Sequence, residues 1–423
     1  MKTFTMVELF SGIGAQAKAF ERVCAARKDS SIAFETLNTC EWDIHAIVAY
    51  YLIHRKNKEL LDWSRKQCID FLKDLKLSNN GKNLAKFNTI SRQNTDLLQL
   101  LCTAIVKTHN LIDVTIVKGK DIPNRLDILT YSFPCQDLSN VGAFHGGLKG
   151  IDRDAHTRSG LLWEVERILK ERANLNLSQP RFLILENVTT LEDERNLHNF
   201  NDWKGQLESL GYKNVIFKLD SLNLGIPQHR QRLIMLSVFV GKNGSTERKK
   251  KIIDTYFANP KNNLNDRRLP LKPLSSILKT DYSNATLFEE AKLSQPNDTK
   301  SRLKIWNRNA KLLDQKGNCA RNSATITTKQ DRHPNSGNVY FDYHGNTKSK
   351  FRYLTPRECM LLMGFDDKDY ESLIENNPDY SRSTFFARDK IYKLAGNSIV
   401  VNVLEQVFDA IVNLDALLRP YSL

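Results

Sequence analysis

No stretch of the 423-residue chain approaches the run of about 18–20 apolar residues that a membrane-crossing helix requires. No membrane association is expected. The opening "MKTFTMVELFSG" lacks the apolar core and small-residue cleavage site of a secretory signal, so a soluble, cytoplasmic protein is expected. Cysteine is sparse: the residues at 24, 40, 68, 102, 135, 319 and 359 form no C-x-x-C pair and no zinc or disulfide spacing. Reduced thiols and no metal are the expectation. Internal repeats and low-complexity tails are also missing, which leaves a globular chain. Its 41% hydrophobic content suffices for one large core and a smaller second one.

Positive charge is what the chain has in excess. Of a net +14, residues 241–350 supply +12, with 22 Lys and Arg against 10 Asp and Glu. Neutralising phosphates and releasing their counterions is the natural use of such a concentration. A lysine-rich solubilising surface is the plain alternative.

"MVELFSGIGAQAKAFERV" predicts a strand over Met6–Phe10, a turn bearing Gly12 and Gly14, and an amphipathic helix whose first N–H groups face a ligand. Without a third glycine the spacing also fits a simple tight turn. Phe34–Cys40 reads as a second strand, with Glu41 at its carboxyl end. A carboxylate there suits the two hydroxyls of a ribose, or equally the cap of a helix. Residues 56–112 form a helix-rich insertion in which no chemistry is legible. Strand-like runs resume at "DVTIVKG", "RLDILTYS", "RFLILENV", "NVIFKLD" and "QRLIMLSV", separated by helix-length segments. This alternation predicts an α/β fold with a Rossmann-like, doubly wound, mostly parallel sheet. Ligands of such sheets sit at the carboxyl ends of strands, and Asp121, Cys135 and Glu186 fall just beyond such ends.

From 241 the texture becomes polar and rich in Asn, Ser and Pro, which predicts a smaller, loop-rich basic domain over 241–350 after a domain over 1–240. Residues 351–423 form a C-terminal segment. Its last helix, opened by "GNS", is expected to return to the first domain.

In order along the chain, "FSGIGA", "EW", "KDI", "FPCQ", "ENV", "QHRQR", a variable region, "LTPRE" and "GNS" resemble the motifs of the DNA (cytosine-5) methyltransferases, which use S-adenosyl-L-methionine. The resemblance covers nearly the whole chain. It implies that Phe10, Ser11, Gly12, Ile13 and Gly14 wrap the cofactor, that Glu41 holds its ribose and that Trp42 packs on its adenine. Asp121 and Ile122 would meet the adenine edge, Pro134 and Leu161 would close the pocket, and Asn397 and Ser398 would touch the methionine end. The chain departs from the family pattern at two places, where Glu8 stands for the usual acid of the first strand and Ala15 for a glycine.

The chemistry implied is methyl transfer to C5 of cytosine. That carbon is a poor nucleophile, so a thiolate must first add to C6. An isolated cysteine is commonly a small buried hydrophobe, but the position of Cys135 after a strand, within Pro-Cys-Gln, favours the nucleophile. Glu186 would stabilise the charge developing at N3, and Asn187 would brace its loop. Of the two arginines in "QHRQR", Arg230 is expected on the base and Arg232 as a structural or phosphate partner. Gln136 and Ser139, on a mobile loop over 136–157, and Arg158 would contact DNA, and the target base would be flipped out of the duplex. The basic region corresponds to a target-recognition domain. Within it, Thr325 and Ile326 of "SATITT" are expected near the base, while Arg357 and Glu358 organise the domain.

Two alternatives stay open at this point. One is a tRNA cytosine-5 methyltransferase of the same fold, whose Cys-Phe-Thr signature the chain lacks. The other is a non-catalytic DNA-binding relative, which would have no need of both Cys135 and Glu186. The expected partner is double-stranded DNA, bound by a monomer in the cytoplasm of a prokaryotic cell. Association alone adds a cognate restriction endonuclease acting separately.

Overall fold

The computed structural model describes residues 2–27, 32–55, 59–134, 151, 159–242, 244–343, 347–380 and 383–421. Six strands, β1 (Lys2–Leu9), β2 (Ile32–Cys40), β3 (Ile128–Tyr131), β4 (Phe182–Asn187), β5 (Tyr212–Asp220) and β6 (Gln231–Phe239), form one sheet in the order β2-β1-β3-β4-β6-β5. The strands β2, β1, β3 and β4 run parallel, and β6 runs antiparallel to β4. This is the mixed, mostly parallel α/β sheet that the alternation predicted. β3 ("ILTY") and β4 ("FLILEN") are buried along their whole length, because helices on both faces of such a sheet leave no solvated side. The strand order reverses beside β1, with β2 on one side and β3 on the other. A crevice opens at the strand ends of such a switch point.

"DVTIVKG" is not a strand. Asp113 Oδ1 accepts from Thr115 N at 2.9 Å and Asp113 O from Ile116 N at 3.1 Å, which bends the segment into a turn. Val114 and Val117 are nevertheless buried in the core of this unit, so the apolar residues reached their place without strand geometry. The predicted insertion is helical, with α3 (Arg65–Leu72), α4 (Phe87–Ser91) and α5 (Thr95–Lys107) following α1 (Ala15–Ala26) and α2 (Ile44–His54). Among the described residues, no helix is long and apolar enough to cross a membrane.

The chain divides into two compact units, one of Met1–Leu219, Gln231–Arg267 and Leu404–Leu423, the other of Asp220–Arg230 and Arg268–Val403. One of the boundaries between the units falls at 267/268. The reason is the helix Thr246–Ala258, which packs Phe257 on Phe217 of β5 with ring centroids 5.0 Å apart and pairs Asp254 with Lys213 at 3.0 Å. The last helix, Val401–Leu418, places Asp415 in the first unit, fully buried. Its carboxylate meets Lys2 Nζ at 2.7 Å, the Arg181 guanidinium, and Arg419 Nε at 2.8 Å.

The second unit surrounds a small sheet of Lys311–Leu313, Asn338–Tyr340 and Phe351–Tyr353. "LTPRE" starts its helix Pro356–Leu362 with Thr355 as N-cap, proline in the first turn and Glu358 completing a capping box. The same Glu358 pairs with Arg352 at 2.8 Å, both side chains fully buried. Arg357 reaches Glu290 at 3.0 Å, Asp367 at 2.9 Å and Glu371 at 3.0 Å. Both residues of the motif therefore spend their charge inside the unit.

Candidate active site

At the end of β1 the chain turns sharply into α1. Phe10, Gly12 and Gly14 all have positive φ, at 57°, 54° and 78°, and Gly14 N closes the turn on Ser11 O at 2.9 Å. Gly14 is required twice over, because a Cβ there would lie 2.2 Å from His54 Nε2. That imidazole approaches Ile13 O at 3.0 Å. Burial lowers its pKa to about 4, so it is neutral. A Cβ on Gly12 would instead meet nothing within 4 Å. The turn is packed behind and open in front, as a cradle for a ligand must be. Beneath it, Glu8 is buried, accepts from Tyr50 Oη at 2.6 Å, and has its pKa raised to about 7 by burial.

Glu41 follows β2 directly. One carboxylate oxygen accepts from Gly12 N at 3.1 Å, the other from Trp42 N and Asp43 N at 2.9 and 2.8 Å. The acid is thereby bound to the glycine turn. Burial, then the charge of Asp43, raises its pKa to about 7. Asp121 lies not at a strand end but in a 3-10 turn, Gly119–Asp121, where Oδ2 accepts from Lys118 N at 2.8 Å. Ile122 beside it is buried in the core with Leu161 packed against that core.

Sequence reasoning missed the residue that holds this turn. Arg172 is fully buried, and its guanidinium donates to the carbonyls of Gly119 at 2.8 Å, Ile122 at 2.5 Å, Pro123 at 3.2 Å and Ser178 at 2.6 Å. A signal was present. Val165, Ile168, Leu169 and Arg172 recur at helical spacing within Leu162–Asn174, which puts a cation on the apolar stripe, where it needs buried acceptors.

Further along the sheet, β4 ends on Glu186 and Asn187. Glu186 is buried, and Arg232 Nε lies 3.3 Å from its carboxylate. Strand pairing explains the meeting, since Glu186 stands opposite Ile234 and Arg232, two residues before, shares the face of Ile234. Asn187 Nδ2 donates to Phe133 O at 3.2 Å. The end of β4 is thus tied to the segment leaving β3, two residues before Cys135.

In the second unit Arg230 and Ile326 are both enclosed by protein. Arg230 was expected on the base, but its buried guanidinium donates to Ile326 O at 2.9 Å, Gly396 O at 3.1 Å and Ser398 O at 2.9 Å. Ile326 is itself buried, with its N–H on Gln228 Oε1 at 2.8 Å, because the short segment bearing Gln228 and Arg230 has enclosed it. Thr325 is less enclosed and donates to His229 O at 2.8 Å. Asn397 ends the helix Arg388–Asn397 and Ser398 caps it. Gly396 packs on the backbone of Thr327 and Thr328, where a Cβ would lie 2.5 Å from Thr328 N. Sequence reasoning used the other two residues of "GNS" and overlooked this contact.

Cys135, Gln136, Ser139 and Arg158 lie outside the described residues, as does nearly all of the loop 136–157. Among the described residues, no group of three or more His, Cys, Asp or Glu is placed to hold a metal ion.

Residues 73–413 match the family described as C-5 cytosine-specific DNA methylase. The chain is 32% identical over 420 residues to the orphan methyltransferase M.SssI of Spiroplasma monobiae, covering 97% of each. Over 411 residues it is 28% identical to the type II methyltransferase M2.ScrFI of Lactococcus lactis subsp. cremoris, covering 95% of this chain and 97% of that one. Its fold is similar to the crystal structure of S. pombe Dnmt2 methyltransferase, with a TM-score of 0.54 over 100% of both chains. At 18% identity that likeness concerns the fold alone. The chain belongs to the C-5 cytosine-specific DNA methylases, and is a DNA (cytosine-5-)-methyltransferase.

Proposed function

We propose that this enzyme methylates one cytosine, flipped out of a specific sequence in double-stranded DNA, and that Cys135 forms a covalent adduct with it. The observation that carries this reading is the convergence of strand ends. β3 leads toward Cys135, while the neighbouring β4 presents Glu186 beside Arg232 and ties Asn187 to Phe133 O.

The reading follows from what cytosine requires. The thiolate of Cys135 adds to C6, forming a C–S bond and moving electron density onto C5 and toward N3. Glu186, as the acid, donates to N3, and the guanidinium of Arg232 offers a donor to the base O2. S-Adenosyl-L-methionine supplies an electrophilic methyl group to C5. With the donor left as S-adenosylhomocysteine, a water molecule would take the C5 proton, whose bonding pair restores the C5–C6 double bond as the C–S bond breaks and the Cys135 thiolate leaves.

The residues present fit that cofactor. Gly12 faces open space, Glu41 stands beside the glycine turn, and Ile122 and Leu161 supply apolar wall. Phe10, Ser11, Ile13, Gly14, Trp42, Asp121 and Pro134 are proposed around them, with Asn397 and Ser398 as further contacts. Gln136, Ser139 and Arg158 are proposed DNA contacts. Sequence choice is assigned to residues 268–350, which hold 15 Lys and Arg against 7 Asp and Glu, with Thr325 near the base and Ile326 as its buried support. The chain's relatives include both orphan and type II enzymes, so the chemistry does not call for a companion endonuclease.

The test is duplex DNA carrying 5-fluorocytosine at the target. Fluorine at C5 cannot leave as a proton does, so the adduct should survive denaturation and map to Cys135. An adduct at Cys24, Cys40, Cys68, Cys102, Cys319 or Cys359, or a product of N4-methylcytosine, would overturn the assignment.

A further inference from the structure

We propose that the helical insertion is a clamp that sets the cofactor-binding tip of β2, with Asn110 as its positioning residue. This rests on the reading that Glu41 holds the ribose. β2 is an edge strand of the sheet, and an uncovered edge presents a row of unsatisfied main-chain groups. The insertion covers its carboxyl end. Thr39 N donates to Thr108 O at 3.3 Å, Leu111 N to Thr39 O at 2.8 Å, and Asn38 Nδ2 to His109 O at 3.1 Å.

At the tip, one side-chain amide takes both main-chain groups of the acidic residue. Asn110 Oδ1 accepts from Glu41 N at 3.0 Å, and Asn110 Nδ2 donates to Glu41 O at 3.1 Å. A second part of the insertion grips the next residues, with Ser78 N donating to Trp42 O at 2.8 Å and Ile44 N to Ser78 O at 2.9 Å. Glu41 and Trp42 are therefore fixed from two directions by residues that carry no reactive group. The chain accepts local strain to achieve it. His109 and Ile112, on either side of Asn110, adopt φ of 47° and 64°, a region that side chains, and β-branched ones above all, rarely occupy. Such strain persists where surrounding contacts impose it.

The clamp acts by direction. With its backbone held, Glu41 keeps one carboxylate oxygen on Gly12 N and the other on Trp42 N and Asp43 N. Release of the backbone would let the carboxylate wander from the ribose position. Cofactor affinity should fall, and DNA affinity should not.

The experiment is calorimetric titration of the full chain with S-adenosylhomocysteine in the absence of DNA. Asn110→Ala should weaken binding about tenfold, the worth of two modest hydrogen bonds. The KM for S-adenosylmethionine should rise in step, while kcat and duplex affinity stay within about twofold. Asn110→Asp keeps the acceptor for Glu41 N and loses the donor to Glu41 O, so a smaller loss is expected, and it serves if the alanine variant fails to fold. Unchanged affinity in the folded variants, or a lower melting temperature with no shift in KM, would overturn the clamp. Glu41→Ala separates the two readings. Lost affinity there beside unchanged affinity in the Asn110 variants removes the clamp alone, whereas unchanged affinity in Glu41→Ala removes the ribose assignment.

Discussion

Arg230 and Arg232 stand two residues apart in one motif, yet their surroundings have nothing in common. Arg230, in the second unit, donates through both terminal nitrogens to the carbonyl oxygens of Ile326, Gly396 and Ser398. Arg232, in the first, meets the carboxylate of Glu186. The same contrast runs through both units. Motif residues of the first stand around the switch point of the sheet, whereas Arg230, Arg352, Arg357 and Glu358 of the second hold its loops and helices together. A charged motif can thus meet a carboxylate in one place and main-chain carbonyls a few residues away. Buried partners, rather than residue type, decide which.

The sharpest way to break this comparison is at the chemical end. Glu186→Gln should lower kcat by about 10³-fold while leaving duplex affinity nearly intact, as expected for a donor used in the transition state. Single-turnover methylation measures it. Arg232→Ala should cost about 10²-fold in kcat with a smaller shift in the urea midpoint than Arg230→Ala, because Arg232 meets one carboxylate where Arg230 holds three carbonyls.

Arg230→Ala should show the reverse. Three carbonyls, two of them in buried bonds, lose their donor, so a loss of about 3 kcal/mol in urea denaturation is expected, and Arg230→Lys should recover little of it because an ammonium lacks the planar fork. If Arg230→Ala melts like the parent and loses only kcat, the contrast fails. Gly396→Ala tests the same mechanical end more gently. The new methyl must push the helix off Thr328 N, for an expected cost of about 2 kcal/mol.

The smallest effect is electrostatic. Burial raises the pKa of Glu8 to about 7, so the fold favours its neutral form. The stability this contributes is complete at pH values below about 4.5 and is lost as pH rises through about 7. Asp367 of the second unit has the opposite sign. Burial acts to raise its pKa, but Lys279 and Arg357 bring it below the ordinary carboxylate value, so its contribution is lost on acidification. Glu8→Gln should flatten the fall in melting temperature between about pH 5 and pH 7 without altering the acid limb.

Much of this was legible in the sequence, for reasons that particular residues make plain. β4 and β6 read clearly because burial on both faces demanded continuous apolar runs, and the glycine turn read clearly because Gly14 has no substitute beside His54. "DVTIVKG" misled because β-branched residues favour strands until an aspartate side chain offers the backbone another partner. The division of labour between the two arginines was not legible. It depends on which distant carbonyls or carboxylates arrive beside them, and contacts over 96 to 168 residues of sequence leave no local pattern. Asn110 was missed for the opposite reason, since a residue that acts only through main-chain groups carries no chemical signature, whereas Arg172 left one, a cation on an apolar helical stripe, that went unread.

The buried carboxylate of Asp415 has a consequence in time. It is shared by Lys2, near the beginning of the chain, and Arg181, and it is separated from both by the second unit, which occupies most of the sequence between Arg267 and Leu404. During vectorial synthesis those two cations emerge long before their acid does. Lys2 and Arg181 therefore wait for their carboxylate until the helix bearing Asp415 has followed the second unit out of the ribosome.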